Sequence, residues 1–156
     1  MLYTSLLFLH SWLRWAVLLA GVHTLVRSTV LWRKRLPWTG ADRGLQRLFV
    51  VFVDLQLVVG LALYLGVSPI IPHSLAGLRA AMKVDFQRFY AVEHAFGMLV
   101  AVALIHVAAV RSRKMADPVL KHRRWVTGLV VAFAVMMALI PWPVASYGRP
   151  LFRIFQ

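Results

Sequence analysis

Four apolar runs, each close to the ~20 residues that cross a bilayer core as a helix, constrain this chain more than any other feature. They cover 6–31, 48–67, 89–110 and 125–140. The last is the shortest, and Pro141 with Pro143 marks its end, because proline lacks the backbone donor that a continuing helix needs. The first run has no basic residue before it and carries His10 and Arg14 within it, so it reads as a retained span and not a cleaved signal. The expected fold is an all-α integral membrane protein, one domain over 1–156 built as a four-transmembrane-helix bundle.

Composition agrees. The chain is 61% hydrophobic and 15% charged with a mean hydropathy of +0.74, whereas soluble domains run near ~45–50% and ~25%. Its net charge of +13 sits in clusters at the ends of the apolar runs, which points to lipid headgroups and argues against nucleic acid as a partner. With no cysteine, thiolate metal sites, iron-sulfur clusters and c-type haem attachment are excluded.

The connections set the expected orientation. Arg33, Lys34, Arg35, Arg43 and Arg47 lie between the first two runs, and Arg111, Arg113, Lys114, Lys121, Arg123 and Arg124 lie between the last two. Both connections should be cytoplasmic, with both termini and the middle connection outside. Trp32, Trp38, Trp125 and Trp142, with Tyr3, Tyr64 and Tyr90, fall near run ends as an interfacial aromatic belt would. Between runs two and three, 74–88 places Leu75, Leu78, Met82 and Phe86 at helical spacing, which predicts a short interfacial helix. It would either pack as an ordinary loop helix or lie as a lid over a cofactor edge.

The candidate chemistry lies in the intramembrane polar residues, which are costly in hydrocarbon and therefore mark sites. His10 stands four residues into the first run and His94 five into the third, and both runs travel in the same direction. The two imidazoles should sit at matched depth on helices lying diagonally across the bundle, an arrangement suited to axial ligation of a haem b. Gly97, Ala101 and Ala108 follow His94 as a small-residue stripe. This could seat a flat macrocycle or simply allow close helix packing. A second, deeper pair, His23 and His106, is rotated about 140° and 120° from His10 and His94 on straight helices, so a second haem is not expected. His23 should instead pair with Arg27, and His73 and His122 should be solvated in connections.

Asp54, in the middle of the second run, needs a cation or a proton. Counting at 1.5 Å per residue places it ~20 Å deep and Arg14 ~12 Å deep, within an arginine's reach, which predicts an Arg14–Asp54 clasp or a shared contact with a haem propionate. Glu93 beside His94 could cap its helix, receive Arg149 from the tail, or bond a ligand. The Pro- and Trp-rich tail 140–150 suits folding back over the outer mouth, where Arg149 could meet Glu93 or a cofactor carboxylate.

His10-Ser11-Trp12-Leu13-Arg14-Trp15, the stretch from Leu55-Gln56-Leu57 through Gly60 to Tyr64, Ala91-Val92-Glu93-His94, and Ile140-Pro141-Trp142-Pro143 with Gly148-Arg149-Pro150 occur here in order. Together they resemble a family of small four-span bacterial membrane proteins labelled cytochrome B or cytochrome B-like, over nearly the whole chain. His10 and His94 match that pattern and His23 and His106 do not. The chain departs from it at Asp54, where the family usually has histidine. The resemblance implies haem b electron transfer in the bacterial cytoplasmic membrane, with quinone or a respiratory complex as partner. The alternative is a cofactor-free accessory or scaffold subunit of a larger membrane complex, with His10, Arg14, Asp54, Glu93 and His94 as a buried polar network. No nucleophile, base and orienting acid are grouped as a hydrolase would need.

Overall fold

A computed structural model describes residues 1–154. Among them are four helices long and apolar enough to cross a membrane, Leu2–Arg33, Gly40–Val67, Asp85–Arg113 and Pro118–Leu139. This is the architecture of a multi-pass membrane protein, here called spans one to four. Spans one and three extend beyond their apolar runs at both ends, span two begins eight residues before its run and ends with it, and span four begins seven residues before its run, because helix starts are set by capping and not by apolarity. Span two starts at a capping box in which Thr39 Oγ1 accepts from Asp42 N–H and Asp42 Oδ2 accepts from Thr39 N–H at 2.8 Å. Span four starts on Asp117, whose carboxylate accepts from Val119 and Leu120 N–H, with Pro118 in the first turn. Its end at Leu139, before Pro141, is where the prolines placed it.

Span one packs against spans two and four, and span three against four and, more thinly, two. Spans one and three therefore face each other diagonally, as the histidine argument required. The interfacial helix is shorter than expected. It covers Leu75–Ala81 on a Ser74 cap, the chain turns through 82–84, and Phe86 belongs to span three.

The two halves of the bundle are packed differently. Towards the basic connections a dense core forms around Phe49, Ile105, Trp125 and Leu129, all fully buried. Trp125 is thus a core residue rather than part of an interfacial belt, and its indole N–H donates to Thr24 Oγ1 at 3.0 Å. His122 is also fully buried, with its ring centroid 4.8 Å from that of Trp38, and not solvated as its place in the sequence suggested. Arg27 pairs with Asp42 at 2.7 Å instead of with His23, which is exposed.

Towards the termini the bundle is hollow. Two stretches there wind as π-helix, Leu63–Val67 in span two and Phe89–His94 in span three, a winding that recurs at functional sites because it re-aims side chains. The Tyr64 hydroxyl donates to the Ala91 carbonyl at 2.8 Å and ties the two stretches together.

Candidate functional site

The hollow half encloses a cavity of about 530 Å³, within the range of small-molecule sites. His10 from span one and His94 from span three face each other across it, with ring centroids 6.4 Å apart and ring planes at 77°. The depth match read from the sequence is therefore realised.

Each ring is held by its neighbours. Nδ1 of His94 donates to the Leu139 carbonyl at 2.8 Å. A carbonyl can only accept, so this nitrogen carries a proton, which in the neutral ring leaves Nε2 with the lone pair. On the other side, Gln56 Nε2 donates to the His10 carbonyl at 3.1 Å and lies 3.3 Å from His10 Nε2. His10 Nδ1 and Gln56 Oε1 are buried with no hydrogen-bond partner among the described residues, a state that polar atoms rarely keep unless water or a ligand satisfies them. Gly60 makes room for the His10 ring, since a Cβ there would come within 3.1 Å of His10 Cε1.

The tail closes the mouth, as its composition suggested. From Ile140 it folds back and is pinned by Arg149 N–H to the Pro141 carbonyl at 3.0 Å. Gly148 has no space for a Cβ, which would lie 2.4 Å from the Trp142 carbonyl. Tyr147 stacks on Phe89 with centroids 3.7 Å apart. The Tyr90 hydroxyl donates to the Tyr147 carbonyl at 2.9 Å and accepts from Arg149 Nε at 3.2 Å. Further along, Trp12 donates to the Arg153 carbonyl, and Trp15 and Arg14 both donate to the Leu151 carbonyl. The middle helix contributes nothing to this closure; the loop residues Ser68, Ile70 and Ile71 line the cavity in its place.

Several expected contacts are corrected. Arg14 does not meet Asp54: its guanidinium reaches the Leu151 carbonyl at 2.5 Å, because the folded tail brings an acceptor nearer than a carboxylate deeper in span two. Asp54 lies outside the cavity and accepts from His106 Nε2 at 2.8 Å. Glu93 is bound by Arg88 at 2.7 Å, and Arg149 sits over the rings of Phe86 and Tyr90 at 5.0 and 5.3 Å, so Glu93 and Arg149 do not pair. Of the small-residue stripe, Ala101 lines the cavity while Gly97 and Ala108 serve helix packing. A Cβ on Gly97 would strike Leu139, and Ala108 fits against Gly128 of span four.

The cavity lining is chemically one-sided. Arg14, Arg149 and Arg153 line it and, among the described residues, no carboxylate does, while Nε of both Arg14 and Arg153 is buried with no partner among them. Gln56, Gly60, Tyr64, Tyr90 and Arg153 are site residues that the sequence reading does not place there; it puts the two tyrosines in the aromatic belt. Gln56 and Gly60 carried a signal, since their four-residue spacing puts them on one helix face with the only uncharged amide of that span's centre. Arg153 carried none, because its place depends on the path of the tail. No protein-family model, curated protein or solved structure matches this chain.

Proposed function

We propose that this chain is a membrane electron carrier that holds a haem b between His10 and His94. The observation that carries the reading is the spacing of the two imidazoles. Imidazole–metal bonds of ~2 Å on either side of one ion put the ring centroids ~6 Å apart, and here they stand 6.4 Å apart. The donor set agrees with it. His94 gives its other ring N–H to a backbone carbonyl, the usual outer-shell arrangement of a ligating histidine. His10 and Gln56 supply the polar atoms left unpartnered.

Bound there, haem supplies a one-electron couple. The chain's residues set its surroundings. Arg14, Arg149 and Arg153 offer donors to two carboxylates at the mouth. Trp12, Trp15, Phe152 and the Tyr147–Phe89 stack exclude water on that side. The apolar walls and the cationic rim would both disfavour the additional positive charge of an oxidised haem there.

The resemblance to small bacterial cytochrome B-like proteins supports the same reading. On this reading the protein belongs in the bacterial cytoplasmic membrane with a quinone or a respiratory complex as electron partner, and the basic connections favour both termini outside. A dithionite-reduced minus oxidised spectrum of the purified protein tests it. Sharp b-type bands, lost in both His10→Ala and His94→Ala, are expected. A featureless spectrum from protein made with ample haem supply would refute it.

A further inference from the structure

The Asp54–His106 pair is not used by the cavity. It joins spans two and three at 2.8 Å, yet the two side chains are 47% and 45% exposed on the outside of the bundle. Asp54 lies seven residues beyond Arg47 and His106 five before Arg111, which puts the pair ~8–10 Å inside the apolar layer from its basic end. Around it the surface is Val51, Leu55, Val58, Val107 and Val110, all exposed and suited to lipid or to another helix. An Asp–His pair facing hydrocarbon is costly, and acyl chains offer it no hydrogen bond.

Span two is also the least covered of the four, with 17% of its apolar window buried in the bundle against 39% in span four. The pair's one hydrogen bond is internal. In its ion-paired form it retains an acceptor, Asp54 Oδ2, and a donor, His106 Nδ1–H. A patch that carries both is complementary to itself across a two-fold axis, the condition an isologous interface must meet.

We infer that the outer face of spans two and three binds a second copy of this chain, with the two Asp54–His106 pairs set against each other as a ring of alternating donors and acceptors. The same face carries the lateral side of the cavity, where Leu61, Leu65, Phe96 and Leu99 both line the space and lie exposed. The second copy therefore also seals the histidine pair from lipid. The inference does not depend on what the cavity holds.

The chain has no cysteine, so single introduced cysteines report proximity cleanly. In membranes, Val58→Cys and Val107→Cys should each give an oxidant-induced dimer, while Leu19→Cys, on the exposed side of span one, should not. Asp54→Asn should weaken association of the purified protein by about ten-fold, and the exchange Asp54→His with His106→Asp should restore it. The proposal is overturned if cross-linking is absent at both 58 and 107 or equally strong from 19. An Asp54→Asn protein that associates like the wild type overturns it too. So does wild-type protein that stays monomeric alone in bilayers and pairs only with a different protein.

Discussion

The Nδ1–H of His94 donates to the carbonyl of Leu139 at 2.8 Å, so span four decides which nitrogen of His94 faces His10. That carbonyl is one of the last of its helix and has no intrahelical donor to replace the ring. His94→Ala should lose any haem band and also destabilise the protein by about 1–3 kcal/mol, the cost of a buried acceptor left bare. His94→Asn keeps a donor near the Nδ1 position, so it should recover much of the thermal stability while recovering none of the spectrum. Equal stability of the two variants would show that the Leu139 contact does not orient the ring.

The tail is a structural part of the site. Deleting residues 150–156 removes the carbonyl of Leu151, which serves both Arg14 and Trp15, that of Arg153, which serves Trp12, and the stack of Phe152 on Trp15. A loss of about 2–4 kcal/mol is expected from these hydrogen bonds and the aromatic contact together. The truncated protein should unfold at a lower temperature in detergent, and Tyr64→Cys in that background should react faster with a water-soluble maleimide than in the full chain.

Gly60 tests the seat of His10. A Cβ there would stand 3.1 Å from His10 Cε1, whereas one on Gly66 of the same span meets nothing within 4 Å. Gly60→Val should displace the His10 ring and reduce cofactor retention at least several-fold, as misplacing a ligand by ~1 Å does. Gly66→Val should leave it unchanged. Matching spectra from the two variants would contradict the assignment of His10.

At the basic end, Asp42 performs two tasks. Its carboxylate caps span two through Thr39 and accepts from Arg27 at 2.7 Å, with 1% of its side chain exposed against 37% for Arg27. Asp42→Ala removes the carboxylate half of the capping box and the partner of Arg27 together and should cost about 2–3 kcal/mol, roughly 1 from the box and the rest from the ion pair, reduced because Arg27 reaches solvent. Asp42→Asn keeps the cap's acceptor and should cost about half as much. Thermal unfolding of both variants measures the difference, and equal losses would assign the whole effect to the ion pair.

The sequence was legible where a one-dimensional count suffices. Depth along a helix is residue number times rise, so the facing of His10 and His94 could be read from two apolar runs of like direction. The return of the tail was legible too, in prolines and aromatics that cannot continue a helix. Partner choice was not. Asp54 was assigned to Arg14 on depth and reach, but His106 lies across a seam whose existence depends on how spans two and three rotate against each other. The rotation that sets His106 apart from His94 on the helix wheel is what turns it towards Asp54.

By itself, then, the sequence determined four apolar spans, their alternating direction, the prolines that end the fourth, and the level at which two histidines meet. Only the tertiary structure decided that the terminal half of the bundle is hollow while Phe49, Trp125 and Phe133 fill the other half. It alone decided that Gly97 belongs to a helix contact and not to a cofactor face, and that a backbone carbonyl of the tail, not a carboxylate, receives Arg14. The reason is physical. Spanning length and depth follow from helix rise and hydropathy, which are local, whereas azimuth, close approach and the route of an irregular tail follow from side-chain volumes meeting across several helices, with π-wound stretches changing the facing of residues that follow them.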